Sequence, residues 1–186
     1  TNASYLGNQH QITYGAVPVG KEKVRFTSNH DQCAWDGTAI DIYGGLDASF
    51  AAFAATLFYP GVPLMYTGQE IGWNNQIPFF SNSTINWNYG ASTLENYKKL
   101  MDAYTNNEEF KSGALNDFSS SDVICINREI IVNSAWCMVN TRNAISSFNL
   151  PLELQNFSGT NLLDGSSFVV NGNTISLASY ETLVFK

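Results

Sequence analysis

The stretch "RFTSNHDQCAWDG", residues 25–37, sets Asn29, His30 and Asp31 directly after a short strand-like run. Imidazole and carboxylate are the side chains most often used for acid–base work in enzymes. The bland alternative is a hydrogen-bonded loop pair that finishes a strand, so the chemistry depends on what surrounds them. Trp35, Trp73 and Trp87 lie in loops, where an indole offers a flat apolar face for a ligand to stack on. Of these, Trp35 and Trp73 are the better candidates. Trp136 sits inside a β-like run and reads as core. Asp36 and Asp41 read as solvated loop acids, and Glu70 as a structural residue bonding backbone or polar neighbours in its turn.

Composition narrows the ligand. The chain has 186 residues, a formal net charge of −7, and only 9 Lys and Arg. Phosphate binding depends on such cations, so a nucleic-acid partner is disfavoured. Neutral hydroxyl-rich ligands fit the abundance of Asn, Ser and aromatic residues better. No apolar run approaches the roughly 20 residues of a bilayer span. The start, "TNASYLGNQH", has no apolar signal core and no initiating Met, and reads as the continuation of a longer protein. Cys33, Cys125 and Cys137 show neither zinc spacing nor a CxxC pair. Cys125 and Cys137 lie on two runs that can pair as a hairpin, which leaves open a cross-strand disulfide or two buried thiols.

The elements that must position these residues change character near residue 111. Before it, "KVRFTS" (23–28) is a short strand and "GGLDASFAAFAATLFYPG" (44–61) a helix stopped by Pro60-Gly61. "VPLMYTG" (62–68) is a strand fit for burial on both faces. Residues 92–110 form an amphipathic helix with Ser92 or Thr93 as cap and Leu94, Tyr97, Leu100, Met101 and Tyr104 on one stripe. The Asn-, Ser- and aromatic-rich loop before that helix is of the length that usually serves function. After residue 111 the chain is all β. Its short strands suit a small antiparallel sandwich, with Asn171-Gly172 as a hairpin signal.

"VRFTSNHD" followed by "YPGVPLMYTGQEIG" and a β tail resembles the C-terminal part of the α-amylase family of glycoside hydrolases. The likeness runs from about Lys21 to Lys186. It implies an α/β plus all-β chain: strands seven and eight of a (β/α)8 barrel with their helices in residues 1–110, then an antiparallel β-sandwich "domain C" in 111–186. By position, Asp31 becomes the carboxylate that grips sugar hydroxyls and stabilises the transition state. His30 donates to the same ring, and Asn29 orients the turn. The family's nucleophile and acid/base sit on earlier strands, and no segment here resembles them. The implied activity is retaining cleavage of α-1,4-glucosidic bonds in starch, glycogen or malto-oligosaccharides, by a parent of which this fragment alone is inactive.

The same resemblance implies no cofactor or metal in this chain, with calcium ligands in the absent part. It implies an α-glucan as partner, a secreted, cell-surface or periplasmic location, and open strand edges. Those edges meet either the missing barrel portion or a second copy. Other family activities (α-glucosidase, branching, transglycosylation), a non-catalytic amylase-fold interaction protein, and a carbohydrate-binding module are the alternatives. Intact His30 and Asp31 count against the second, and the polar strands of the β part, which display no aromatic platform, against the third.

Overall fold

Helix α4 (Leu46–Phe58) organises the first half, in a computed structural model that describes residues 2–186. Three elements precede α4 besides helix α1 (Tyr5–Tyr14), which the sequence reading did not anticipate: strand β1 (Val24–Arg25), and helices α2 (His30–Trp35) and α3 (Ala39–Tyr43). α4 itself runs Leu46–Phe58, with Asp47 in its first turn and Ala48, Ala51, Phe53, Ala54, Ala55, Leu57 and Phe58 buried. Small Ala side chains let it lie close to its neighbours. The helix ends because Pro60 holds the preceding Tyr59 extended, at φ −71° and ψ 152°.

Strand β2 (Val62–Pro63) then runs parallel to β1, with Val24 opposite Val62 and Arg25 opposite Pro63. Gly61 makes the pairing possible: its φ is +137°, and a Cβ there would stand 2.7 Å from the Lys23 carbonyl oxygen. Both strands are shorter than the sequence suggests, and β2 is not buried on both faces. Val62 is 51% exposed and Val24 56%, because among the described residues each strand pairs only with the other. A 3-10 turn (Gln69–Ile71), helix α5 (Ala91–Thr105) and helix α6 (Glu108–Ser112) follow.

The expected single helix over 92–110 is thus two. Asn107 takes an extended backbone between them and donates from Nδ2 to the Ala103 carbonyl at 2.7 Å. The N-cap of α5 is Gly90 rather than Ser92 or Thr93, and Thr93 is buried. Tyr97 and Leu100 of the expected stripe are fully buried, joined by Ala103.

Helices give way to strands after Ser112. Strands β3 (Ala114–Asp117), β4 (Val123–Ile130), β5 (Asn133–Asn140), β6 (Ser146–Asn149), β7 (Ser158–Thr160), β8 (Ser167–Val169), β9 (Thr174–Leu177) and β10 (Thr182–Phe185) form one four-stranded antiparallel sheet, ordered β10-β5-β4-β3, and two ribbons, β6-β9 and β7-β8. The chain is therefore a mixed α/β molecule with several antiparallel sheets, and its parallel strands do not close a barrel.

Asn171-Gly172 forms no hairpin. Gly172 has φ +87°, but β8 and β9 on either side pair with β7 and β6, so the turn passes the chain between ribbons. Cys125 and Cys137 are free thiols. Cys125 lies opposite Met138 and Cys137 opposite Ile126, and this one-residue offset sends the two sulfurs to opposite faces of the sheet. Trp136 is buried at 4% exposure.

The sheet has a core on each face. Ile124, Ile126, Cys137, Val139 and Val184 pack with Phe53, Leu57 and Phe58 of α4 and Leu100 of α5. Val123, Cys125, Trp136 and Met138 pack with Phe148, Leu177 and Val170 from the ribbon side. One apolar core thus crosses the change from helices to strands.

Polar contacts reinforce that junction. Tyr59 donates its hydroxyl to Asp117 Oδ2 at 2.7 Å. Arg25 bonds the Pro60 carbonyl through Nε at 2.5 Å, and its Nη2 lies 2.6 Å from His10 Nδ1. The arginine can only donate, so Nδ1 accepts and His10 is neutral. Burial first, then the Arg25 and Arg128 charges, push the His10 pKa down from 6.5 to about 4. The unfolded chain therefore takes up a proton that the fold refuses, and stability conferred by neutral His10 is lost as pH falls from 6.5 toward 4. Thermal melts at pH 7 and pH 4.5 should show a steeper acid loss for the parent chain than for His10→Gln. Parallel losses would remove His10 from the acid response.

Candidate functional site

Strand β1 delivers the chain to the site through Thr27 and Ser28, both buried. Asn29 follows in extended backbone, and its Oδ1 accepts from the Gln32 amide at 3.0 Å, which caps α2. That is the physical basis for the turn-orienting role given to Asn29. It also means that His30 and Asp31 occupy the first turn of a short helix rather than a loop. His30 Nε2 lies 3.7 Å from Asp31 Oδ1, and the side chains are 62% and 65% exposed. At that spacing they are not hydrogen-bonded to each other, and both side chains are open to solvent.

An aromatic wall stands beside them. The Phe79 ring is 5.6 Å from His30 and 5.8 Å from Trp35, and Phe80 extends it at 6.2 Å from Phe79. The long loop carrying these phenylalanines is tied back to α2 by the Ile77 amide, which donates to the Cys33 carbonyl at 3.4 Å. Phe79 and Phe80 were not singled out from sequence. "IPFFS" gives no cue to which strand end its loop folds over. Trp73 joins a different pair, edge-on to Tyr89 at 5.4 Å, and Trp87 is exposed.

Gln69 is the other residue that sequence reasoning missed. Buried between Gly68 and Gly72, it accepts from Ser28 Oγ at 3.3 Å and donates to Thr27 Oγ1 at 2.7 Å and the Tyr97 hydroxyl at 3.5 Å. One amide thus locks the exit of β1 to the turn after β2 and to α5. Both strand exits are held at one end of the ribbon. The adjacent Glu70 departs from expectation: its Oε2 is buried without a hydrogen-bond partner, as is Gln32 Oε1. Asp41 departs too, since it forms a capping box with Thr38 at the start of α3 and is no free loop acid.

Chemically, an exposed donor–acceptor pair beside aromatic faces suits a hydroxylated ring, whose hydroxyls bond the polar pair while its C–H face lies on the rings. Among the described residues no cluster of three or more His, Cys, Asp or Glu could hold a metal ion. No helix among them is long and apolar enough to cross a membrane.

No protein-family model and no curated protein matches the sequence. Solved structures do match in fold. An α-amylase from Lactobacillus plantarum aligns with TM-score 0.78 at 15% identity, over 98% of this chain and 42% of the enzyme. A maltogenic α-amylase from Thermotoga neapolitana aligns with TM-score 0.78 at 18% identity, over 100% of this chain and 46% of the enzyme. A debranching enzyme from Nostoc punctiforme, soaked with acarbose, aligns with TM-score 0.76 at 15% identity, over 100% and 38%. The chain has the fold of part of α-amylase-family enzymes, and it spans less than half the length of each.

Proposed function

We propose that this chain is the C-terminal part of a retaining α-glucan hydrolase that cleaves α-1,4-glucosidic bonds. The observation that carries the reading is the exposed His30–Asp31 pair, set at the end of β1 by Asn29 and Gln69 and flanked by Trp35 and Phe79. Asp31 accepts from sugar hydroxyls, His30 donates to the same ring, and Trp35 and Phe79 pack on its C–H face. Trp73 contributes on the β2 side. Retaining hydrolysis needs two further carboxylates about 5–5.5 Å apart, one nucleophile and one acid/base. They belong to the portion of the parent that precedes this chain, as do any calcium ligands.

Residues 1–110 thus act as the end of a catalytic barrel and 111–186 as its β companion. The exposed edges of β1 and β2 meet the rest of the barrel or, failing that, a second copy. On this reading the parent is secreted, at the cell surface or periplasmic, where polymeric glucans are usually met.

The test is the parent reading frame. Its upstream part should supply the two carboxylates at strand ends, and the full-length protein should release reducing sugar from soluble starch with retention at the anomeric carbon. This chain alone should release none. Hydrolysis by the isolated chain, or a full-length protein lacking those carboxylates, would sink the proposal.

A further inference from the structure

The loop that carries Phe79 and Phe80 is chemically unlike the rest of the chain. From Ile71 to Leu94 there is no Asp, Glu, Lys, Arg or His, while Trp73, Phe79, Phe80, Trp87 and Tyr89 all fall in that stretch. Such a surface has neither the carboxylates that hold a metal ion nor the cations that hold phosphate. It offers flat rings interleaved with amides and hydroxyls.

Phe80 is its most exposed ring, at 93%. It lies 6.2 Å from Phe79, which in turn lies 5.6 Å from His30 and 5.8 Å from Trp35. Phe80 has no ring contact with His30 or Trp35, so it stands one ring further out from the polar pair. Ser81, Asn82, Ser83 and Thr84 follow it, all exposed, and none makes a hydrogen bond among the described residues. Their donors and acceptors are open beside the ring. An exposed aromatic patch continuous with a polar pair marks a binding surface.

We propose that this uncharged loop, with Phe80 at its centre, holds the glucose units next to the one at His30 and Asp31, and so makes the site selective for extended α-glucan chains over short oligosaccharides. The inference rests on the role proposed for that pair and extends it outward along the substrate. The neighbouring pyranose lays its C–H face on Phe80. The side chains of residues 81–84 meet its hydroxyls, which both donate and accept. Continuity through Phe79 favours the substrate itself over an unrelated partner. A short sugar that fills only the position at His30 and Asp31 gains nothing from the loop, so the loop reads chain length.

The experiment compares maltoheptaose with maltotriose on the full-length protein. Phe80→Ala should lower kcat/KM for maltoheptaose about tenfold more than for maltotriose, with the difference in KM, and leave Tm in place. Phe80→Trp should keep the preference for the longer chain, whereas Phe80→Leu, apolar but not flat, should lose it. Equal losses on both sugars, a loss confined to kcat, or Leu serving as well as Trp would overturn the inference. So would a fall in Tm with the preference intact, which would mean that Phe80 packs against another part of the parent. A full-length protein that cleaves neither sugar would defeat the hydrolase reading alone. Calorimetric titration with the same two sugars then decides the inference, which requires maltoheptaose to bind about tenfold tighter and Phe80→Ala to erase that margin. Equal affinity for the two sugars would overturn it.

Discussion

Under the function proposed above, Asp31→Asn in the full-length protein is expected to lower kcat by about 10²-fold or more while leaving the fold intact, by the usual magnitudes of transition-state electrostatics. The exchange keeps shape and removes charge. Asp31 is exposed in the first turn of α2, where its interaction with the helix end is worth only about 0.3–1 kcal/mol, so unfolding cannot produce a loss of that size. In the reaction proposed above, the glycosyl centre becomes oxocarbenium-like in the transition state, and hydrogen bonds to the 2-OH strengthen there. An ionised acceptor gains most at that moment, so the loss should fall on kcat more than on KM. Asn29→Ala provides the contrast. It removes the cap that the Gln32 amide uses, costs about 1 kcal/mol of stability, and should shift Tm before it shifts kcat. Initial rates on a malto-oligosaccharide series, read beside thermal melts, separate the two. An unchanged kcat would remove Asp31 from the mechanism.

The residues that carry local rules were legible in the sequence, and those that depend on long-range pairing were not. Pro60-Gly61 fixed the end of α4 because proline restricts its predecessor whatever surrounds it. Tyr97 and Leu100 fall on one helix stripe by their spacing alone, and both are buried. Asn171-Gly172 signalled a turn correctly but not its partners, because register between ribbons depends on which apolar faces meet. Asp41 and Gln69 escaped for a related reason. A side chain that closes a capping box or bridges two strand exits is defined by three-dimensional neighbours, and its type alone is compatible with solvent.

Residues 23–28 and 62–68 suggest longer strands than form, because β-favouring residue types do not by themselves supply a pairing partner. The ladder stops after two residues although the apolar run continues. The exposed Val24 and Val62 show the same mismatch.

Arg128→Met should be strongly destabilising, lowering stability by about 3–5 kcal/mol, since it strands two buried carbonyls at about 1–3 kcal/mol each. Arg128 is 1% exposed, on the face of β4 that meets the helices. Its Nε donates to the Gly113 carbonyl and its Nη1 to the Phe58 carbonyl, each at 3.0 Å. Phe58 is the last residue of α4, so the guanidinium sits at the negative end of that helix dipole. Burial dominates the environment and lowers the Arg128 pKa to about 10, so the side chain stays charged at neutral pH.

Desolvating a guanidinium is unfavourable, and an apolar replacement of similar volume sometimes recovers that energy. It does not here, because the two carbonyls remain buried after the exchange, and each unsatisfied group costs about 1–3 kcal/mol. For a chain of this size about 2–4 °C of Tm accompanies each kcal/mol, so Tm should drop by roughly 10 °C. Arg128→Lys should fall between, since one ammonium on a flexible stem does not reproduce the fork that reaches both oxygens. Because these bonds join α4 and the loop before β3 to the sheet, amide exchange in Arg128→Met should quicken first at Tyr59 and Ala114, beside the two freed carbonyls. A Tm within 2 °C of the parent, less than about 1 kcal/mol at this size, would mean that guanidinium burial offsets everything the clamp contributes.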